Sequence, residues 1–406
     1  MLSGLLVVLL LCIQSQGLIA QELRAGDSRA GYEREDFVTS SQRLDTMRVR
    51  PVDLYQLAVN PPLGLPPFPA EVPDPAVIDL GRRLFFDRRL SANGTLSCAM
   101  CHIPEQGFAQ NELATPVGFE GRMVRRNAPS LYNVAYRAQL FHDGRETGLE
   151  EQIWFPLLAA NEMGNRSEQQ VLERIGSIPV YEQQFRAAFG GAISRRTLGR
   201  ALAGYQRVLL AADSPFDRWF FGGEQDALGA DAKRGFDVFR NRGCSDCHLV
   251  GKDAALFSDG LFHDTGIAYR EAREGDAIRR LQLAPGVVID VNTDVLRPRP
   301  SDLGRMEVTA DVADRWRYRT PTLRNIALTA PYMHNGSLPD LRAVLEYYAA
   351  GGAPHAGQDA RIRPLQLRAG EIDELLAFLD ALSASNVAAL AADARSVEIG
   401  DFRVPR

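Results

Sequence analysis

The sequence of 406 residues predicts a mainly α-helical fold of two similar domains that pack against each other, with few short strands. Three observations lead to this prediction. The motif Cys-x-x-Cys-His occurs twice, at 98–102 and at 244–248. Before each motif a glycine opens an apolar and aromatic stretch, at 81–86 and at 235–239, which indicates an internal repeat. Near the end of the chain, 369–384 has the apolar spacing of an amphipathic helix.

The N-terminus is predicted to be a secretory signal peptide, because an apolar run from Leu5 to Cys12 is followed by small and polar residues. An uncleaved membrane anchor is the alternative, since neither Lys nor Arg precedes that run. Export would place the protein in the bacterial periplasm. The predicted order is a signal peptide at 1–20, an N-terminal extension at 21–73, a first domain at 74–220, a second domain at 221–385 and a C-terminal tail at 386–406.

Composition and charge exclude some classes of function. Hydrophobic residues make up 45% of the chain, which is typical of a protein that buries a core. The formal net charge is −5 and no basic stripe is present, so we expect no nucleic-acid partner. After the predicted signal, no segment is apolar enough to span a bilayer, so we expect no membrane span in the mature chain.

The cysteines indicate the cofactor. Cys12 falls in the predicted signal peptide, and the other four cysteines form two pairs within the repeated motif. The spacing Cys-x-x-Cys-His is typical of covalently attached haem c, in which two thiols bond the porphyrin and the histidine binds the iron. A redox-active dithiol, or a zinc site shared by both pairs, is the alternative. A histidine directly after both pairs, in an exported chain, favours two haems.

Each domain is therefore predicted to be a cytochrome-c-like haem domain. The predicted attachment residues are Cys98, Cys101, Cys244 and Cys247, and the predicted proximal ligands are His102 and His248. A haem that reacts with peroxide needs one open axial face and an acid–base group beside it. A haem that only transfers electrons has both axial positions filled, so the residue opposite each histidine decides the function.

Three longer signatures extend the pattern beyond the two motifs. They are "RRNAPSLYNVAY", "FHDGRETGLEEQIWFPLLAANEMG" and "YRTPTLRNIALTAPYMHNGSLPDL", at 125–136, 141–164 and 318–341. In these signatures and their order, 74–385 resembles the bacterial di-haem cytochrome c peroxidase superfamily, and in particular its MauG-like branch, which includes MbnH-like enzymes. The resemblance implies a peroxide-dependent di-haem oxidoreductase.

The resemblance implies an open axial face at the first haem, lined by Gln152 and Glu162 with Pro156 between them. Glu162 would act as the acid–base group, because a carboxyl group in an apolar pocket has a raised pKa and can transfer a proton. A solvated helix face is the alternative for these residues. Peroxidases of this family carry a capping histidine in the segment that here is 115–127, which has none; Met123 is the alternative ligand there.

At the second haem, the resemblance places Tyr348 where peroxidases of the family have a methionine. A phenolate oxygen is a hard anionic ligand that stabilises ferric iron far better than a thioether does, so we expect a low reduction potential. The alternative is a buried aromatic side chain on an amphipathic helix, which is how we interpret Tyr347.

The resemblance also implies a Ca²⁺ ion between the haems, with the Asn127 side chain and the backbone carbonyls of Thr329 and Pro331 as ligands. Oxygen ligands suit this hard cation. His334 matches a residue of the haem environment that hydrogen-bonds close to a propionate.

Electron transfer between the haems is less well defined by sequence. Many relatives have tryptophan in the "FxDGR" signature, where this chain has His142. The predicted relay therefore passes through His142 or through Trp154. We expect the remaining histidines, His263 and His355, at the surface or in loops.

These expectations favour an exported enzyme that uses hydrogen peroxide to reach a high-valent di-haem state and then oxidises aromatic side chains, such as tryptophan, of a partner protein. The second hypothesis is a peroxidase that takes electrons from a small cytochrome or cupredoxin, which predicts a methionine-ligated second haem. The third is an electron carrier, which predicts six-coordinate iron at both sites.

Overall fold

The computed structural model describes residues 49–274, 279–284, 287–291 and 302–397. The predicted signal peptide, residues 21–48 of the predicted extension and the last nine residues of the predicted tail lie outside them. The chain divides into two units, Met1–Arg50 and Pro51–Arg406, and every element described below belongs to the second.

The second unit is mainly α-helical with few short strands, as predicted. Its α-helices are α1 (Leu54–Val59), α2 (Pro75–Phe86), α3 (Leu149–Gln152), α4 (Trp154–Leu158), α5 (Glu168–Gly176), α6 (Pro179–Phe189), α7 (Arg195–Arg207), α8 (Pro215–Phe220), α9 (Ala230–Asn241), α10 (Ile267–Glu274), α11 (Met306–Thr309), α12 (Leu341–Ala349), α13 (Glu371–Asp380) and α14 (Val387–Arg395). Its strands are β1 (Phe262–His263), β2 (Arg279–Ala284), β3 (Val287–Val291) and β4 (Tyr318–Arg319). β1 pairs with β4 and β2 with β3, both antiparallel.

None of the described helices combines the length and the apolar character that crossing a bilayer requires.

The first core is organised by α2 crossing α7. Gly81 lies at the crossing, where a Cβ atom would come within 1.9 Å of the carbonyl oxygen of Ala201. A side chain there would push the two helices apart, so the glycine permits their close contact. Large side chains from both helices fill the space around the crossing, among them Leu84, Phe85 and Tyr205.

The second core repeats this arrangement with α9 and α13. At Gly235 a Cβ atom would lie 1.9 Å from the carbonyl oxygen of Glu374. A cluster of aromatic rings surrounds this crossing, with centroid separations of 5.0–5.5 Å among Phe216, Phe236 and Phe378. The sequence repeat is thus a structural repeat, in which a glycine-containing helix leads into each Cys-x-x-Cys-His motif.

The segment predicted as a C-terminal tail contains α14, which packs onto the first core through Leu390 and Ala394. Asp393, on the same helix, forms an ion pair with Arg82 of α2. The chain therefore returns from the second core to the first before it ends.

Buried ion pairs join segments that are far apart in the sequence, and one group of them links the half of the molecule that contains the first motif to the half that contains the second. Arg324 is 2% exposed; it donates to both carboxylate oxygens of Asp217 at 2.8 and 2.9 Å and to the carbonyl oxygen of Gly64 at 2.6 Å. Arg126 donates to Asp302 at 2.6 and 2.7 Å and to Asp143 at 2.6 Å. Removing one partner from such a pair would leave an uncompensated buried charge, which costs about 3–5 kcal/mol.

Candidate functional site

A cavity beside the first motif has an empty volume of about 700 Å³. Its walls are mostly apolar, and they bring together the residues that the sequence predicted for this haem. These are Cys98, Cys101 and His102 from the motif, together with Gln152, Pro156 and Glu162. Residues from α2, α7 and the loop at 118–124 complete the lining.

A hydrogen bond to the backbone orients His102. Its Nδ1 atom lies 2.9 Å from the carbonyl oxygen of Phe108, which can only accept, so Nδ1 carries the proton. Nε2 therefore keeps its lone pair for a metal, as is usual for a histidine that binds iron. Burial lowers the pKa of His102, which favours the neutral ring that a ligand needs.

The acid–base candidate is held on a fixed loop. The backbone amide of Glu162 donates to Ala159 at 3.0 Å, and its carbonyl oxygen accepts from Phe119 at 2.9 Å. Burial raises the pKa of the Glu162 carboxyl group, against the lowering effect of the Arg145 cation. Gln152 ends α3 and Pro156 lies in α4, so the short break between these helices aims both residues at the cavity.

Three of the four motif cysteines are buried in surroundings that disfavour a thiolate. Burial raises the pKa of Cys98 to about 12, and those of Cys101 and Cys244 to about 11. Reactive dithiols and zinc-binding thiolates have lowered pKa values instead. Among the described residues, the one group of possible metal ligands is Cys247, Asp259 and His263, so the four thiols do not meet at a shared zinc site.

The second motif has the same histidine geometry as the first. The Nδ1 atom of His248 lies 2.9 Å from the carbonyl oxygen of Phe257, which leaves Nε2 free to bind iron. Phe108 and Phe257 have φ angles of 52° and 51°, so both carbonyls are presented by the same unusual left-handed backbone turn.

Tyr348 lies in α12, near enough to the second motif for the motif cysteines to act on its phenol. Burial raises the pKa of Tyr348, and the neighbouring Tyr347 and the sulfur atoms of Cys247 and Cys244 raise it further. Tyr347 differs, because its hydroxyl donates to the carbonyl oxygen of Thr265 at 2.8 Å and its ring is buried. The two adjacent tyrosines therefore occupy different environments.

His142, Asn127 and His334 form a chain of contacts across the junction of the halves. The Nε2 atom of His142 lies 3.0 Å from the carbonyl oxygen of Asn127. The backbone amide of Asn127 donates to the carbonyl oxygen of His334 at 2.7 Å. Burial lowers the pKa of His142 to about 4, so this ring is neutral at physiological pH.

His334 fits the environment of a bound anionic group. It is 6% exposed, and its Nε2 atom has no hydrogen-bond partner among the described residues; the nearest carboxylate oxygen, Glu271 Oε2, lies 3.8 Å away. Its ring stacks on Tyr318 with centroids 3.8 Å apart. A buried polar atom without a partner is costly, so a hydrogen-bond acceptor such as a haem propionate would satisfy it.

The predicted calcium ligands also have free oxygen atoms. The Asn127 side-chain amide donates to Ala114 at 3.0 Å, which leaves its oxygen directed elsewhere. Within the described ranges, no donor reaches the carbonyl oxygen of Thr329 or Pro331. These oxygen atoms suit a hard cation.

Two other predicted candidates lie away from the cavity or the junction. Met123, the alternative sixth ligand, is 45% exposed and does not line the cavity. Trp154, the alternative relay, is 3% exposed and belongs to the first core, with Arg195 over its ring at 5.5 Å.

The expectation that His263 lies at the surface or in a loop is wrong. His263 is in strand β1, is 8% exposed and lies between the carboxylates of Asp259 and Asp359. Asp359 is 96 residues distant in sequence, so no local pattern indicates the contact. His355 is in a loop, half-buried, with its Nε2 atom 2.9 Å from Asp264.

Comparisons with known proteins find two matching family models and several similar chains. The family model for di-haem cytochrome c peroxidase matches residues 75–226, and a model for RoxA-like, cytochrome c-like proteins matches 317–349. The methylamine utilization protein MauG of Methylorubrum extorquens is 36% identical, over 77% of this chain and 80% of the relative. Cytochrome-c peroxidase IdrP1 of Denitromonas iodatirespirans is 35% identical, over 80% of this chain and 86% of the relative.

The fold has solved counterparts as well. The structure of a MauG-like protein associated with microbial copper homeostasis superposes with a TM-score of 0.65 and 30% identity, covering 81% of this chain and 94% of that one.

Proposed function

The chain belongs to the di-haem cytochrome c peroxidase family, and from this premise we propose that it uses hydrogen peroxide to oxidise aromatic side chains of a partner protein. As a member of that family it is a peroxide-dependent di-haem oxidoreductase with haem c cofactors. The finer proposal concerns the source of the electrons. It follows the MauG-like branch, in which a protein substrate supplies them.

The proposal depends on Tyr348. This residue lies near the second motif, since the sulfur atoms of Cys247 and Cys244 act on the ionisation of its phenol. As a second protein ligand besides His248, it would bind ferric iron strongly and give a low reduction potential. Such a haem is a poor acceptor for electrons from a small cytochrome, but it can retain an oxidising equivalent until a protein substrate is reached.

The residues at the first cavity have separate roles in the proposal. Glu162 removes a proton from peroxide and returns it to the departing oxygen, because its buried carboxyl group has a raised pKa. Gln152 offers its side-chain amide to hydrogen-bond peroxide, and Pro156 restricts the space beside it. When bound at Cys98 and Cys101, the haem would supply a redox-active iron, and His102 would hold that iron.

The proposal also assigns the residues that attach the haems, bind calcium and lie around the haems. We propose that Cys98, Cys101, Cys244 and Cys247 hold two haems in the domains at 74–220 and 221–385, and that Asn127, Thr329 and Pro331 bind Ca²⁺ between them. His334 bonds a propionate, and His142 is the better-placed relay, because its contact with Asn127 lies at the junction of the halves. We place the enzyme in the periplasm, after export.

The second candidate is a peroxidase supplied by a small cytochrome or cupredoxin. The 35% identity to cytochrome-c peroxidase IdrP1 favours it almost as strongly as the identity to MauG favours the first. The two candidates differ in what they require of position 348, which makes that position the place to test.

The test compares Tyr348→Phe, Tyr348→Met and wild type in the haem-loaded protein. After one equivalent of peroxide, with no reductant, we expect wild type to form a long-lived oxidised state by stopped-flow absorbance and Tyr348→Phe to lose it at least tenfold faster. Tyr348→Met is expected to raise the potential of the second haem. Tyr347→Phe is the matched control, because that hydroxyl bonds Thr265. The oxidised state of this variant should have the same lifetime as that of wild type. An equal lifetime in Tyr348→Phe and wild type would remove Tyr348 from the mechanism.

A further inference from the structure

A compact group of charges, which we call the 263 cluster, lies beside the second motif. It consists of Asp259, His263, Asp359 and Arg361. The Nε2 atom of His263 is 2.8 Å from Asp259 Oδ2, and its Nδ1 atom is 2.7 Å from Asp359 Oδ2. Arg361 donates to the same Asp359 oxygen at 2.7 Å, and its Nη2 atom lies 2.8 Å from His263 Nδ1.

The arrangement defines the charge of the imidazole. Each ring nitrogen lies within 2.8 Å of a carboxylate oxygen, and a carboxylate only accepts, so these two contacts favour an imidazolium that donates from both nitrogens. Arg361 Nη2 lies 2.8 Å from Nδ1 and shares the Asp359 oxygen with it. Two carboxylates and one guanidinium alone would leave a net charge of −1 in a largely buried place, which is unfavourable. The imidazolium neutralises the 263 cluster.

Contact with Cys247 and the bonds to Asp259 and Asp359 raise the pKa of His263 to about 9, although burial opposes this. The contribution of Cys247 disappears once its sulfur is a thioether, whereas both carboxylates remain.

The 263 cluster is close enough to act on the second haem. The ligand atoms of Cys247, Asp259 and His263 all lie within 4.8 Å of one another. The same charges reach the histidine that would bind iron, and they act on it in opposite directions. Asp259 raises the pKa of His248 and His263 lowers it, although burial is the larger influence.

A metal site is the other interpretation of Cys247, Asp259 and His263. It conflicts with the chemistry of each residue, because Cys247 is committed to haem attachment and both nitrogens of His263 already bond carboxylates. The electrostatic interpretation uses the contacts of His263 with both carboxylates.

We propose that His263 holds a fixed positive charge at the thioether edge of the second haem and so raises the reduction potential of its iron. This charge opposes the lowering effect of Tyr348. For its consequence, the inference rests on the proposed function: Tyr348 makes the oxidised second haem stable, and His263 keeps it reactive enough to take electrons from a substrate.

Two substitutions of opposite charge test the proposal in the haem-loaded protein. His263→Gln removes the cation, and Asp259→Asn removes an anion while keeping an acceptor for the backbone amide of Leu261. By spectroelectrochemical titration we expect the second haem potential to fall in His263→Gln and to rise in Asp259→Asn. Each reduction equilibrium should change about tenfold, which is about 59 mV for one electron.

The matched control is His355→Gln, which removes another histidine–carboxylate pair of this half, the one with Asp264. Its second haem potential should equal that of wild type. A purely structural role of His263 would shift both cluster variants in the same direction or release haem from both. Shifts of the same sign, or below about twofold in the equilibrium, would overturn the proposal.

The titration needs neither peroxide nor a partner protein, so it stands apart from the proposed function. If Tyr348→Phe leaves the oxidised state unchanged but the two cluster variants shift oppositely, the proposed function fails and the role of His263 holds. If Tyr348→Phe shortens the lifetime but the cluster variants do not shift oppositely, the role of His263 fails alone.

Discussion

The two halves of the molecule share one scaffold and differ in what faces each histidine. In both halves a glycine permits a close helix crossing, a histidine Nδ1 bonds a phenylalanine carbonyl at 2.9 Å, and an asparagine in the left-handed region precedes a short 3-10 helix. The matching pairs are Gly81 and Gly235, His102 and His248, Phe108 and Phe257, and Asn133 and Asn325.

The side chains near the two motifs differ. The first half has a cavity with a buried carboxyl group, that of Glu162, and the second half has the phenol of Tyr348. The shared scaffold gives the two histidines the same hydrogen bond. Under the proposed function, the side chains around each motif decide whether peroxide reacts there.

The largest expected effect concerns the first half, whose buried carboxyl group distinguishes it from the second. Glu162→Gln should slow the reaction with peroxide by about 10²–10⁴-fold, because a positioned acid–base group contributes that much. Stopped-flow measurement of the rate constant for peroxide checks this. Glu151→Gln is the control, since that side chain is 51% exposed and pairs with Arg195. A Glu162→Gln rate within threefold of wild type would contradict the assignment.

The next prediction tests whether the close helix crossing contributes equally to the free energy of unfolding in the two halves. Gly81→Ala and Gly235→Ala each place a Cβ atom 1.9 Å from a carbonyl oxygen, so the helices must separate. We expect a loss of about 3 kcal/mol in the free energy of unfolding from each, measured by denaturant titration of the haem-loaded protein. Gly191→Ala meets no atom within 4 Å and should change little. A clear difference between the two core variants would show that the halves are not equivalent.

The shared scaffold could be predicted from the sequence because its signals are local. The Cys-x-x-Cys-His spacing and the glycine before it are visible within about twenty residues, and the mainly helical class follows from them. The helix α14 also has a local signal that the tail assignment overlooked, since Leu390, Ala391 and Ala394 recur at helical spacing and are buried.

What distinguishes the halves is not local. Asp359 reaches His263 over 96 residues, and Asp302 reaches Arg126 over 176 residues. Neither pairing produces a periodic pattern in the sequence. The sequence also does not show whether a histidine is buried or exposed. Gln152, Glu162 and Tyr348 could be named only through the family resemblance, because the cavity that joins the first two exists only in the folded chain.

The smallest expected effect concerns the pH dependence of the reaction with peroxide, which tests the role of Glu162. The residue removes a proton only as the carboxylate, so the peroxide rate should fall as pH drops through its pKa, and burial places that midpoint above the usual value of about 4.3. The Arg145 cation opposes the shift, so Arg145→Gln should move the midpoint upward. The movement should be less than about one pH unit, because Asp143 pairs with Arg145 at 3.0 Å and the guanidinium is partly exposed. A rate profile against pH for both proteins measures it, and a downward shift in Arg145→Gln would show that a different group controls the profile.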